Sequence, residues 1–305
     1  MQESKIVNNP YAKSLDGLKL NNPVEAFFNF CKERENIRRL REKAYPFPWT
    51  KDPIFKKGRF LNVFREDDRT SKSILYFARE LKDNIPLLIQ ALFFARWCNR
   101  QETLDELSPD ILLKPEKLSK KLKSLENWCN LKAYPVEAVN WKGIKYSRFD
   151  TAVTLFLDIK ESLADMVKNA EGDVITATIA INSEFKMQND FPIFMAVIDL
   201  AWFRPDIIYP NSHVPTGIGA VAYLDRLQKY LGLKNHQETC EKMIELQNEY
   251  WPEAKRKFQP IDIEYLSCEC RKYYSYVNAT KSFEGKNVFK PKSVSYTHLT
   301  LPTKA

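Results

Sequence analysis

The stretch of residues 33–70 constrains the fold most, because it places a rigid loop inside an otherwise helical pattern. A helix leads into it, since Asn22 can cap a helix that begins at Pro23 and extends to about Arg41. Three prolines then follow closely, namely Pro46, Pro48 and Pro53. Proline lacks the backbone N–H that a helix interior needs, and it also restricts the residue before it. A structured loop anchored by Trp49 is therefore predicted over residues 45–54.

The rest of the chain carries repeated helix signals. Asn84 and Asp150 can cap helices that extend to about residues 98 and 169, and Pro115 can occupy the first turn of another. The run of residues 191–203 is apolar except for Asp199 and is typical of a core helix. Helical spacing is further predicted at residues 60–64, 71–81, 220–230, 237–257 and 261–277.

The predicted fold class is mainly α and multi-helical, with little or no β. Glycine is scarce, with eight residues in 305, and all-β folds need many tight turns that favour glycine. Residues 174–181 are rich in β-branched side chains and fit either a helix or a strand.

One helical domain is expected over residues 22–290, and two lobes of about 22–148 and 149–290 are the alternative division. Residues 1–21 lack periodicity and are expected to be a loose lead-in. Residues 293–305 break from the charged, helical character before them and are predicted to be a non-native tail.

Several function classes are excluded because the sequence lacks the motifs that they require. No glycine lies in a G-x-x-x-x-G-K-[ST] or G-x-G-x-x-G motif, so a P-loop kinase and a Rossmann dinucleotide enzyme are excluded. The six cysteines are scattered, and no signal peptide or long apolar run occurs. The expectation is a reduced, soluble, intracellular protein of the cytoplasm or nucleus, without a membrane partner. Cys268 and Cys270 form a C-x-C pair, but with three histidines and no second pair no metal site is predicted.

The net charge of +8 is concentrated in two distant segments. Residues 32–72 contain thirteen basic and seven acidic side chains, and residues 254–292 contain nine basic and four acidic ones. These segments carry +6 and +5, so the remainder sums to −3. Arginines interleaved with aromatic residues are typical of nucleic-acid surfaces, although a solvated charged surface is the common alternative. An anionic partner is therefore favoured.

Two glycines precede a predicted helix in the second half of the chain. Gly217 and Gly219 form a Gly-Ile-Gly hairpin just before the helix at residues 220–230. Backbone N–H groups of such a hairpin can point at a phosphate, assisted by the helix N-terminus. A tight connection without a ligand is the alternative.

An ordered set of residues carries a family resemblance. In the first half its members are Phe27, Phe28, Phe30, Glu33, Arg34, Ile37, Arg41, Pro48, Trp49, Thr50, Asp52, Pro53, Ile54, Arg59, Phe60, Asn62, Val63, Arg65, Asp68 and Thr70. In the second half they are Asp199, Gly217, Gly219, Glu264, Cys268, Glu269, Lys272 and Tyr273. Over about residues 23–285 the chain resembles the helical domain shared by phage-type 5-hydroxymethyluracil DNA kinases and α-glutamyl/putrescinyl thymine pyrophosphorylases. These proteins of thymine hypermodification are related to helix-hairpin-helix DNA glycosylases.

The resemblance implies a helix-hairpin-helix DNA glycosylase-like fold and chemistry on a thymine methyl carbon. A pyrophosphate on 5-hydroxymethyluracil leaves and an amine takes its place, so an amine co-substrate is implied and no cofactor is evident. Such a site needs a flipped base, cations around the leaving phosphates and a carboxylate to accept a proton. DNA is the expected partner. A separate P-loop kinase is a second one, because kinase members of the family carry a P-loop domain that this chain lacks.

Candidate residues follow from the resemblance. Asp199 is the first choice for a general base, followed by Glu269 and Asp68. The DNA- or phosphate-binding candidates are Arg34, Arg38, Arg41, Arg59, Arg65, Lys272, Gly217 and Gly219. Trp49 and Tyr273 are candidates either for stacking on a base or for packing as anchors. The structural alternatives are arginines paired with acids inside the fold and a buried Asp199 that caps a helix.

Two other functions stay open. One is a non-catalytic DNA-binding helical module that partners a 5-hydroxymethyluracil DNA kinase. The other is a DNA glycosylase, which is the weaker hypothesis because no lysine follows the hairpin and no four-cysteine cluster is present.

Overall fold

The computed structural model describes residues 11, 13–131, 138–285 and 288–290. The expected tail at residues 293–305 and most of the expected lead-in lie outside the described residues.

The first half of the chain is a series of helices. They are α1 (Pro23–Glu42), α2 (Pro53–Lys57), α3 (Arg69–Ala78), α4 (Ile85–Cys98), α5 (Gln101–Asp105) and α6 (Pro115–Ser124). Short 3₁₀ turns lie between them at Arg65–Asp67, Arg79–Leu81 and Pro109–Leu113. Strands β1 (Val139–Trp141) and β2 (Ile144–Tyr146) then form an antiparallel hairpin, with Asn140 opposite Lys145.

The second half is also helical. Its helices are α7 (Arg148–Asp150), α8 (Phe156–Asp158), α9 (Lys160–Lys168), α10 (Val174–Phe185), α11 (Phe191–Phe203), α12 (Val221–Leu231), α13 (His236–Tyr250) and α14 (Pro260–Val277). A π-helical turn, Thr151–Leu155, joins α7 to α8. The predicted fold class is confirmed, because the described residues form many helices and one two-stranded sheet.

Local sequence signals account for several helix ends. The side chain of Asn22 accepts the N–H of Glu25 at 3.0 Å at the start of α1. At the other end, the N–H of Tyr45 donates to the carbonyl of Leu40 at 3.0 Å, and Ala44 takes a left-handed φ of 56°. This is a Schellman-type C-terminus, and glycine is the residue usually found at the left-handed position.

The structure resolves one ambiguous segment of the sequence and corrects the prediction for another. The ambiguous residues 174–181 lie inside helix α10, which Asp173 caps by accepting the N–H of Thr176 at 2.6 Å. The helical spacing expected at residues 60–64 is wrong, because this segment is not helical. Phe60, Val63 and Phe64 are nevertheless all buried, and the backbone between them bonds to side chains of other elements instead of to itself.

Two hydrophobic cores hold the helices together. The central core is formed by α3 to α11 and includes the most apolar helices, α4 and α11, which pack against each other. The terminal core joins α1, α2 and residues 60–64 to α12, α13 and α14. In the terminal core, α1 therefore packs with the last three helices of the chain. Within the described residues, no helix has both the length and the apolar character needed to cross a membrane.

Candidate functional site

The two basic segments, residues 32–72 and 254–292, lie side by side in the terminal half of the fold. Gly58 and Val288 form an antiparallel bridge, and the N–H of Phe289 donates to the carbonyl of Lys57 at 2.7 Å. The two segments are therefore in direct contact near Lys57.

Arg34 of α1 lies at the centre of a group of buried and half-buried polar residues, which we call the inner cluster: Arg34, Asn62, Asp68, Glu269 and Lys272. Its Nη2 donates to Oδ1 of Asn62 at 2.6 Å, and its Nε and Nη2 both donate to the carbonyl of Phe60 at 3.3 Å. Burial lowers the pKa of Arg34 to about 10, while the charges of Asp68 and Glu269 oppose that shift. Arg34 therefore supports residues 60–62 from within the fold.

The carboxylates of the inner cluster hold the same segment. Glu269 of α14 accepts the N–H of Leu61 at 2.9 Å and forms an ion pair with Lys272 at 2.7 Å. Asp68 accepts the N–H of Asn62 at 3.2 Å. Burial raises the pKa of Asp68, and the positive charge of Arg65 opposes this shift. Glu269 and Asp68 thus lie close enough for the charge of Glu269 to contribute to the raised pKa of Asp68.

Other predicted cations are also turned inward. Arg38 pairs with Glu35 at 2.6 Å and with Glu42 at 2.6 Å, and its hydrogen bond to Glu35 is the main cause of its raised pKa. Arg65 is buried, with its guanidinium 5.5 Å from the centre of the Tyr265 ring. Arg38 and Arg65 therefore make the internal contacts that the structural alternative expects, an ion pair for Arg38 and ring stacking for Arg65.

Asp199 belongs to a different environment. Its two oxygens accept from Nε and Nη2 of Arg96 at 2.5 and 2.6 Å, and both side chains are buried within the central core. The expectation that Asp199 joins Arg34 and Arg65 in one site loses its geometric support, because its carboxylate is occupied by Arg96. Asp199 is buried, as the structural alternative expects, but its partner is a side chain of α4 and not the end of a helix.

The Gly-Ile-Gly segment packs against α14. The N–H of Gly217 donates to Oε1 of Glu264 at 2.8 Å. A Cβ added to Gly219 would lie 2.5 Å from Sγ of Cys268, one helical turn further along. Burial raises the pKa of Glu264 to about 7, and the bond from Gly217 opposes that shift. The backbone N–H expected to face a phosphate therefore already faces a carboxylate.

The loop between α1 and α2 forms a surface of a different kind. We call it the aromatic-basic surface, and it comprises Tyr45, Phe47, Trp49 and Phe289 with Arg41, Lys43, Lys51, Lys57, Arg59 and Lys290. The indole N–H of Trp49 donates to the carbonyl of Tyr45 at 2.7 Å, and the Phe47 ring packs edge-on against it at 5.3 Å. Arg41 lies 5.3 Å from the Trp49 ring and 5.6 Å from the Phe289 ring. Trp49 thus acts as the anchor of the loop.

Five cations of the aromatic-basic surface are exposed and form no ion pair with a described residue: Lys43, Lys51, Lys57, Arg59 and Lys290. Only Arg59 was among the predicted phosphate-binding residues. The lysines were missed because the resemblance emphasised arginines on helix α1. For Lys43 and Lys51 the available signal was their position beside the prolines of the loop, between helices α1 and α2.

Tyr273 of α14 holds the loop between α1 and α2 through Asp52. Its hydroxyl donates to Oδ2 of Asp52 at 2.5 Å, while Oδ1 of Asp52 accepts the N–H of Ile54 at the start of α2. Burial and this hydrogen bond raise the pKa of Tyr273. Its ring packs on Phe30 and Phe55. Tyr273 is therefore half-buried and packed against the terminal core.

A small pocket opens beside the Gly-Ile-Gly segment. Its lining includes His213, Thr216, His236, Cys240 and Glu264. His236 contacts Oγ1 of Thr216 at 3.1 Å through Nδ1, which ties α13 to this segment. Among the described residues, no group of three or more His, Cys, Asp or Glu side chains is placed to hold a metal ion.

Comparison with known families identifies a match that covers most of the chain. Residues 21–282 match the family described as the helical domain of 5-hmdU DNA kinase, where 5-hmdU is 5-hydroxymethyldeoxyuridine. The chain belongs to this family. Membership confirms the resemblance carried by the sequence motifs and connects the chain with thymine modification in DNA. Comparison with curated proteins and with solved structures gives no match.

Proposed function

We propose that this 5-hmdU DNA kinase helical domain binds DNA and acts in the modification of thymine-derived bases. The observation that carries the proposal is the joining of two basic segments around one exposed aromatic loop. Cations without internal partners attract phosphates, and exposed aromatic rings can stack on bases.

The cations of the two basic segments fall into two groups, those with contacts inside the protein and those exposed to solvent. Arg34, Arg38 and Lys272 make their contacts inside the protein, so they support the fold of the surface. The exposed cations of the aromatic-basic surface are the ones available to DNA phosphates. Binding is therefore expected to weaken steeply with salt, as phosphate neutralisation by lysine and arginine requires.

The finer proposal is that the inner cluster assists a group transfer on a flipped base. The amine nitrogen attacks the methylene carbon of pyrophosphorylated 5-hydroxymethyluracil, and the C–O bond breaks as pyrophosphate leaves with the electron pair. The proton lost by the nitrogen needs an acceptor. Asp68 is the better candidate, because burial raises its pKa, whereas Glu269 is paired with Lys272. Asp199 is not proposed for this role.

Pyrophosphate release tests the transfer. Purified protein is mixed with DNA that carries the pyrophosphorylated base, with and without putrescine or glutamate. Amine-dependent release that is lost in Asp68→Asn and retained in Asp225→Asn, an exposed control, supports the step. DNA that is bound yet chemically unchanged with each amine refutes it.

A non-catalytic DNA-binding module is the second candidate. It is favoured by the internal pairing of most predicted catalytic and cationic side chains. On this hypothesis the chain increases the activity of a separate P-loop kinase on 5-hydroxymethyluracil DNA without changing DNA itself. A glycosylase would instead produce abasic sites in such DNA, and their absence would rule that activity out.

A further inference from the structure

The loop between α1 and α2 holds two aromatic side chains in solvent. Tyr45 is 57% exposed and Phe47 is 43% exposed, and every residue from 41 to 48 is exposed. No ring contact joins Tyr45 to another described residue. Large aromatic side chains normally remove much of their surface from water, so two exposed ones at one loop tip indicate an interaction surface.

The loop beneath these rings is fixed at both ends. On one side, the N–H of Tyr45 closes the C-terminus of α1. On the other side, Asp52 caps α2 and is held by Tyr273. Between them, Trp49 bonds to the carbonyl of Tyr45. The two rings are therefore presented by a preorganised support, which lowers the entropy lost when they bind a partner.

Charge identifies the partner as a polyanion. Arg41 and Lys43 precede the aromatic tip, Lys51 follows it, and residues 43–51 contain no acid. A molecule that meets this loop face-on contacts aromatic rings at the centre and cations at the rim. Duplex DNA has the complementary arrangement, with stacked bases inside and phosphates outside.

We propose that Tyr45 and Phe47 form a wedge that enters the base stack of duplex DNA beside a modified thymine. Aromatic contact with the bases replaces part of the stacking that is lost, and the cations at the rim hold the phosphates on both sides. Opening the step in this way releases the neighbouring base from the helix, which is the geometry needed for chemistry on its methyl carbon. The wedge rests on the proposed DNA binding.

Base unstacking is measured with 2-aminopurine placed next to 5-hydroxymethyluracil in a duplex, because its fluorescence rises when it leaves the stack. Addition of the full chain is expected to give a several-fold rise. The variant Tyr45→Ala/Phe47→Ala is expected to lose this rise while the salt dependence of binding stays unchanged, because no phosphate contact is removed.

Tyr76→Ala is the matched control, since Tyr76 is 63% exposed but lies on α3, outside the aromatic-basic surface. It is expected to give the full rise. Phe47 also packs on Trp49 and Phe289, so Tyr45→Ala alone, at a side chain without ring contacts, provides a variant that keeps the fold. A loss in Tyr45→Ala that Tyr45→Trp restores supports the wedge.

A full rise in 2-aminopurine fluorescence with the double variant overturns the wedge. Tight DNA binding by the wild-type chain without any rise in fluorescence also overturns it. Both results leave DNA binding intact. Failure of the unmodified chain to bind at low salt overturns DNA binding itself and the wedge with it.

Discussion

The ion pair between Arg96 and Asp199 allows a sharp test of the role of Asp199. The guanidinium and the carboxylate form a two-pronged contact at 2.5 and 2.6 Å, with 2% and 0% of the two side chains exposed. Asp199→Asn removes the negative charge that faces the buried guanidinium of Arg96. Breaking a buried pair in this way costs about 3–5 kcal/mol. Because about 1.4 kcal/mol corresponds to a tenfold change, the folded-to-unfolded ratio is expected to fall by roughly two to three and a half orders of magnitude.

The assay is urea unfolding followed by circular dichroism, with the free energy of unfolding extrapolated to water. The double variant Arg96→Met/Asp199→Leu removes both charges and is expected to recover most of the lost stability. Asp206→Asn is a chemically matched control, because Asp206 forms the same kind of contact with Arg204 at the surface, where little change is expected. An Asp199→Asn variant with undiminished stability but no amine-dependent pyrophosphate release would refute the structural assignment.

Three further predictions concern stability. Gly219→Ala brings a Cβ to 2.5 Å from Sγ of Cys268 and is expected to cost about 1–3 kcal/mol, whereas Gly219→Ala/Cys268→Ala recovers most of it in the same urea assay. Ala44→Gly is expected to raise the unfolding free energy by about 1 kcal/mol, because Ala44 has a φ of 56°, and an unchanged or lower midpoint would contradict this. Glu264 has a folded-state pKa of about 7, above its ordinary value, so its contribution to stability is complete below about pH 4.5 and is lost as the pH rises through 7. In Glu264→Gln the free energy of unfolding is expected to depend less on pH over that range. A pH profile identical to that of the wild-type chain would show that burial does not raise the pKa of Glu264.

Local features of the structure were predictable from the sequence, because their causes are local. The helix over residues 191–203 has the expected bounds, since a long apolar run flanked by prolines and polar residues determines them. The helix after Asn84 likewise begins at its cap, whose side chain accepts the N–H of Leu87. The fold class followed from such signals taken together.

The contacts of the site were not predictable in the same way. Asp199 is paired with a residue 103 positions away, and Gly217 with one 47 positions away. One sequence contains no signal for such pairings, so a lone acid in an apolar helix fits a catalyst and an ion-pair partner equally well. The burial of Arg34 also depends on tertiary packing, because its partners lie in residues 60–62. The pairing of Arg38 with Glu35 and Glu42 is different, because all three residues lie on α1.

The salt dependence of DNA binding tests the central claim most directly, namely that the aromatic-basic surface contacts phosphates. Each phosphate contact contributes about 0.9 to the slope of log affinity against log salt concentration. A variant with alanine at four exposed cations is compared with a control that has alanine at four exposed lysines elsewhere. The surface positions are Lys43, Lys51, Arg59 and Lys290, and the control positions are Lys117, Lys120, Lys168 and Lys229. The slope is expected to decrease by about 3 to 4 in the first variant and to stay constant in the control. Equal slopes for both variants and the unmodified chain would contradict the claim.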